Sequence, residues 1–147
     1  MQDLTLVIPA KYESESLPIF LNEMVNLDCK KLIVLEADDA KTINSIKGFD
    51  GIELLFQDKK GYGAALIEGV LNVSTTHFCI INADGSMNPK YLSEMLNKIK
   101  NKNLDFLFAS RYEDPGGGSE DDSLLTMIGN YFFTKIGNIF FSLEISD

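Results

Sequence analysis

Apolar runs of strand length, at residues 4–8, 31–36, 52–56, 77–82 and 105–109, alternate along the chain with stretches of helical period at 16–26, 40–47, 62–72 and 89–102. That alternation is the pattern of a parallel sheet with helices on its faces, so it predicts an α/β fold. The runs are apolar at nearly every position rather than at every second one, which predicts strands covered on both faces. Pro89 at the head of the last helical stretch suits a first turn, where its missing N–H costs nothing. Four β-α pairs are thus followed by a fifth strand. The pattern then breaks at residues 113–123, where Gly116, Gly117 and Gly118 stand amid five acids, and a mobile loop over 110–123 is expected. Beyond it, residues 124–145 are dominated by Leu, Met, Ile, Tyr and Phe, with Lys135 the only charge before Glu144. A buried or amphipathic helix packed on the sheet is the first reading. A helix docked on a membrane surface is the second. A transmembrane span is disfavoured, because Asn130, Lys135 and Asn138 fall in its middle and each is expensive in hydrocarbon.

The 147 residues, 45% apolar, predict one soluble globular domain over 1–147, long enough to bury a core without disulfides. Charge changes the picture more. Thirteen Lys and Arg against 22 Asp and Glu give a net charge of -9, so the basic surface that nucleic acid requires is missing. Twelve of the thirteen cations are Lys, which leaves Arg111 as the one residue fitted for bidentate recognition of phosphate or carboxylate. Cys29 and Cys79 lack metal-like spacing, Cys79 reads as a small core residue, and the first residues lack the regions of a secretory signal. A cytoplasmic location is expected.

In an open parallel sheet whose strand order reverses, ligands bind beyond the carboxyl ends of the strands flanking the reversal. The first and fourth strands would end there side by side, bringing Pro9, Ala10, Lys11, Tyr12 and Glu13 towards Asn82, Ala83, Asp84, Gly85 and Ser86, while the second strand adds Glu36, Asp38 and Asp39. Converging carboxylates repel unless a hard cation compensates, and oxygen ligands suit Mg²⁺ or Mn²⁺. The plainer alternative is that Asp38 or Asp39 caps the following helix. Residues 57–65, with Lys59, Lys60, Gly61 and Gly63, open a helix after the third strand, so their backbone N–H groups and lysines are placed to meet an anion. A dinucleotide fingerprint is not met. Gly61 and Gly63 lack the third glycine, and they follow the third strand rather than the first.

Taken together, these segments resemble the family 2 glycosyltransferases of the GT-A nucleotide-sugar fold, especially the branch acting on dolichol or polyprenyl phosphate. Val7-Ile8-Pro9-Ala10-Lys11-Tyr12-Glu13-Ser14-Glu15-Ser16-Leu17 resembles the opening V-I-P-A-x-N-E-x-x-S-L, with Tyr12 in place of Asn. Lys60-Gly61-Tyr62-Gly63-Ala64-Ala65, followed by Gly69, resembles the G-x-G-x-A segment. Asn82-Ala83-Asp84-Gly85-Ser86 with Pro89 resembles the D-x-D metal motif, and Ala109-Ser110-Arg111-Tyr112 resembles G-S-R-Y.

The resemblance implies a Rossmann-like, mostly parallel sheet with helices on both faces, and a metal-dependent, inverting transfer of sugar from a UDP- or GDP-linked donor. It implies that Pro9, Ala10, Tyr12, Glu13, Glu36, Asp38, Lys60, Gly61, Asn82, Ala83 and Asp84 hold the donor. Asp84, helped by Asn82, would bind Mg²⁺ or Mn²⁺, and Asp84 and Arg111 would be the catalytic pair. The acceptor would be a polyprenyl phosphate at the inner face of a membrane, already anionic and needing no general base. Asn82 stands where the motif has its first Asp, which removes one negative charge from the metal site. The chain stops at Asp147, where relatives continue, so the acceptor-side part is expected to be missing and homo-oligomerisation through the exposed surface becomes an expectation. Two other readings follow. One is a truncated or degenerate module that binds nucleotide-sugar without catalysis. The other is a sugar nucleotidyltransferase, disfavoured because Pro9-Ala10-Lys11-Tyr12 replaces that class's glycine-rich loop.

Overall fold

The structure, a computed structural model, describes residues 1–110 and 123–141. They fall in two compact units, Met1–Asn97 and Lys98–Asp147. The first unit is built on β1 (Leu4–Pro9), β2 (Lys30–Leu35), β3 (Ile52–Phe56) and β4 (His77–Ile80), paired in parallel in the order β3-β2-β1-β4. Helices α1 (Ser16–Glu23), α2 (Ala40–Ser45) and α3 (Tyr62–Leu71) form the crossovers. A short 3-10 turn, Pro89–Tyr91, capped by the Asn88 side chain, leads into α4 (Leu92–Lys102).

Alternate residues of each central strand serve different layers, as the two-residue period of a strand requires. Leu4, Leu6 and Ile8 of β1 and Ile33 and Leu35 of β2 pack with Leu17, Phe20 and Leu21 of α1 and Leu92 and Leu96 of α4. On the other face Val7, Leu32 and Val34 pack with Ala65 of α3. Helices therefore cover both faces of β1 and β2. Complete burial of a side chain such as Leu6 or Ile8 is worth roughly 1.5–3 kcal/mol, and the central strands carry most such residues. Gly69 sets how closely α3 lies on the sheet: a Cβ there would stand 2.5 Å from Val7 Cγ1 and 3.0 Å from Val34 Cγ2.

Three expectations are corrected. Cover on both faces holds for the central strands only, because α3 contacts β1 and β2 and leaves the edges open: Phe78 and Ile80 of β4 and Leu54 and Phe56 of β3 are exposed. Residues 105–109 form no strand. A strand needs a partner for its backbone groups, and these residues have no partner in any described ladder; instead Phe106 and Phe108 stack on each other at 6.4 Å between ring centroids. The final helix of the second unit, α5 (Leu124–Phe141), begins where the sequence placed it, its entry capped by Ser123, whose hydroxyl accepts from the Thr126 N–H. It is not buried. Leu125, Ile128, Tyr131, Phe132, Phe133, Ile139, Phe140 and Phe141 are exposed, because apolar residues surround the helix instead of forming one stripe that a single layer covers. Among the described residues no helix is long and apolar enough to cross a membrane. The expected loop over 110–123 lies, but for its end residues, outside the described residues.

Candidate active site

The strand order reverses between β1 and β4, which pair in register from Leu4 with His77 to Val7 with Ile80. The crevice predicted at their carboxyl ends is present as a cleft of about 250 Å³. Its lining comes from the ends of β1 (Pro9, Ala10, Lys11 and Glu13), of β2 (Glu36) and of β4 (Asn82, Ala83 and Asp84). Gln57, Gly61, Tyr62 and Ala65 complete it from the β3–α3 connection and α3.

Each wall has a local cause. Pro9 has no N–H with which to continue the ladder, and after it Ala10 N–H donates to the Val34 carbonyl at 2.9 Å. Tyr12 then adopts φ +61°, a left-handed conformation rare for an aromatic residue. It is held there by Asp39, whose Oδ2 accepts the Tyr12 N–H at 2.7 Å. The same carboxylate accepts from the Thr42 N–H and caps α2. Burial pushes the Asp39 carboxyl up, yet hydrogen bonds from the Tyr12 amide and from Thr42 outweigh it and hold the group below its ordinary range. Helix α3 opens at Gly61, φ +109°, a value glycine tolerates. Its approach loop is tied down by Glu68, which accepts from the Asp58 and Lys59 N–H groups at 2.8 and 3.1 Å. Those two amides are therefore engaged within the chain, contrary to their expected use for an anion. The first turn of α3, at Gly61 and Tyr62, does line the cleft.

Glu36 is the buried acid of the site, with only 6% of its surface exposed. Lys11 Nζ stands 2.9 Å from its Oε1 and Lys60 Nζ 3.1 Å from its Oε2, while Lys60 also reaches Asp38 at 3.1 Å. Hydrogen bonds from Lys11 and Lys60 hold the Glu36 carboxyl below its ordinary range. Lys11 is raised by Glu36, and Lys60 by Asp38 and then Glu36. On the β4 side, Asp84 is exposed and its Oδ1 accepts the Ser86 N–H in a turn completed by Gly85, φ +78°. Asn82 Oδ1 accepts from the Tyr62 hydroxyl at 3.0 Å across the cleft.

Of the residues expected to hold the donor, Pro9, Ala10, Glu13, Glu36, Gly61, Asn82, Ala83 and Asp84 meet here, and Lys60 reaches in through Glu36. Tyr12 and Asp38 are exposed outside the lining. Arg111 lies outside the described residues. Lys11, Gln57, Tyr62 and Ala65 also line the cleft; the sequence placed their segments at the crevice without counting them among the residues expected to hold the donor. The sequence carried a signal for Lys11 and Tyr62, since both sit inside the motifs that mark the strand ends. Cys79 is partly buried against the core, and burial pushes its thiol up, in keeping with an unreactive role.

No three His, Cys, Asp or Glu side chains come together among the described residues. At the β4 side of the cleft a divalent cation would find one carboxylate, Asp84, and one amide oxygen, that of Asn82, already engaged by Tyr62. That donor set fits Mg²⁺ or Mn²⁺ only when phosphate oxygens of a bound nucleotide complete the coordination, which is the usual manner for Mg²⁺.

The sequence model of the family described as glycosyl transferase family 2 matches residues 5–147. The chain belongs to that family. It is 33% identical over 98 residues to a protein of Mycobacterium bovis (strain ATCC BAA-935 / AF2122/97) and, equally, to proteins of two Mycobacterium tuberculosis strains, CDC 1551 and H37Rv, each named an uncharacterized glycosyltransferase. The match covers 63% of this chain and 43% of each relative, so it spans less than half the relatives' length. The α/β sheet with helices on both faces is that of a GT-A domain.

Proposed function

We propose that this cleft binds a nucleoside diphosphate sugar, UDP- or GDP-linked, and that the chain acts as the donor-binding part of an inverting glycosyltransferase, with residues 1–147 as one GT-A domain. The observation that carries the reading is the convergence, at the reversal of strand order in a chain of this family, of Pro9, Ala10 and Glu36 with Asp84 and the first turn of α3. Pro9 and Ala10 present flat, buried walls to a base, and Glu36 offers a carboxylate to base or ribose N–H and O–H groups. Gly61 and Tyr62 bring the positive end of α3 towards phosphate. Asp84 would hold Mg²⁺ or Mn²⁺, which when bound would neutralise charge on the departing diphosphate. The acceptor oxygen attacks the anomeric carbon from the face opposite the diphosphate; the C–O bond to phosphate breaks and its electron pair leaves with the nucleoside diphosphate. Arg111 is assigned to the phosphates or the acceptor.

A lipid phosphate at a membrane surface is the acceptor we infer, supported by the exposed aromatic side chains of α5. With a net charge of -9, contact with an anionic bilayer would be hydrophobic rather than electrostatic. The second reading, a module that binds donor without turnover, is favoured by Asn82, which removes a metal-ligating charge. Incubation with UDP- and GDP-sugars, Mn²⁺ and a polyprenyl phosphate separates the two. Sugar-lipid product supports the transferase, whereas a donor-dependent rise in melting temperature without product supports the module. Neither product nor thermal shift with any donor would overturn both.

A further inference from the structure

Lys11 and Lys60 stand on the two oxygens of one buried carboxylate at the lip of the cleft. One ammonium is enough to neutralise Glu36, so the second leaves this trio one positive charge in excess. Asp38 offsets part of that charge through Lys60, but its side chain is 70% exposed and its field is screened by water. The other ionisable side chains of the lining are Glu13 and Asp84, both acids, and Tyr62. A diphosphate entering against these groups alone would be repelled.

Two further features bear on how the charge is met. The second carboxylate that a cation would use is replaced by Asn82, and its amide oxygen is already held by Tyr62. The lysine side chains are 52% and 74% exposed, and an ammonium has three N–H groups; Lys11 is paired with Glu36 alone and Lys60 with Glu36 and Asp38, so each keeps at least one donor for an incoming anion. Glu36 itself is anchored by burial at the end of β2, so the two ammonium groups are gathered at one place instead of sweeping the solvent.

We propose that Lys11 and Lys60, gathered by Glu36, form a cationic clamp for the diphosphate of the donor, so that nucleoside diphosphate binds with part of its affinity supplied by the chain rather than by a divalent ion. The proposal rests on the donor reading above and adds to it a binding residue, Lys11, and a partial independence from metal. Lys60 holds its place through Asp38 and Glu36 together. Lys11 has Glu36 as its ion-pair partner, which makes it the cleaner residue to test.

Calorimetric titration of the full chain with UDP, GDP and the parent nucleosides, in EDTA and in Mn²⁺, tests this. Wild type is expected to bind one diphosphate in EDTA. Lys11→Met should weaken that binding about tenfold, the loss of one charge-assisted contact, and leave nucleoside binding unchanged. Lys11→Arg should restore it. Asp84→Asn should remove only the increment that Mn²⁺ adds. Lys11 is half exposed at the cleft's lip, so its replacement is compatible with folding, and an unchanged melting temperature of the free variant checks this. Diphosphate binding that requires Mn²⁺ and ignores Lys11 would overturn the clamp and leave the donor site standing. Failure of both diphosphates to bind wild type in either condition would overturn the donor reading and the clamp with it.

Discussion

Glu36 owes its chemistry to position: it is the first residue after β2, still buried, where the sheet gives way to the cleft. Its carboxyl lies below the ordinary value of about 4.3, and Lys11 and Lys60 lie above their ordinary value of about 10.4. The lowered acid contributes stability that is complete above the ordinary carboxylate pKa and is lost as pH falls through the lowered one. The raised amines contribute stability that is complete below the ordinary amine pKa and is lost as pH rises through the raised ones. The difference in urea midpoint between wild type and Glu36→Gln should therefore stay constant from about pH 5 to pH 9 and shrink below about pH 4. A difference that persists unchanged at pH 3 would show that the ion pairs are not its source. Asp39 makes a different prediction. Asp39→Ala removes the cap of α2 and the clasp on the left-handed Tyr12 together, and should cost about 2 kcal/mol in urea unfolding. Sequence offered Asp39 as a helix cap, and the cap is there. Its bond to Tyr12, 27 residues away, had no signature, because a long-range hydrogen bond leaves no period in a sequence.

At the scale of elements, α3 is the piece on which fold and site meet. Gly61 starts it at the cleft, Glu68 fastens its approach loop, and Gly69 lets it lie close on Val7 and Val34. Gly69→Ala should destabilise the domain by about 1–3 kcal/mol despite Ala's better helix propensity, because the added Cβ meets two buried, β-branched side chains. A gain in denaturation midpoint would show that the helix has room to move away. The helix was legible from its period, and so were β1 to β3, because long apolar runs separated by turn residues leave few alternatives. β4 ends at Ile80 rather than at Asn82, although Ile81 N–H still donates to the Val7 carbonyl. Residues 105–109 misled for a physical reason. Apolar composition states that a segment avoids water, and whether it pairs depends on a partner edge that its own residues do not encode. The exposure of α5 was equally illegible, since apolar residues all round a helix predict burial without naming what covers it.

For the molecule as a whole, an acidic chain proposed to hold a polyanionic donor must place its few cations well. With 22 acids against 13 cations, gathering Lys11 and Lys60 on one buried acid achieves this locally while the surface stays negative. Raising ionic strength should weaken diphosphate binding, since part of it is electrostatic, and should leave binding of the uncharged nucleoside nearly unchanged. Titrations at about 50 and 500 mM NaCl compare the two, and equal losses would point to a general effect of salt on the fold. The general location of the cleft was readable because topology fixes it: once β1 and β4 are neighbours, the residues that follow them must meet. Which side chains line it was only partly readable. Tyr12 and Asp38 face solvent while Lys11 and Tyr62 face the cleft, a distinction set by backbone angles such as the positive φ of Tyr12. The central claim, that this cleft is the donor site, is tested most directly by amide chemical-shift mapping of the labelled chain titrated with UDP and GDP. The account predicts that one nucleotide perturbs Ala10, Glu36, Gly61 and Ala83 together, saturably, and leaves residues of α5 in place; saturable shifts confined to other surfaces, or none at millimolar nucleotide, would contradict it.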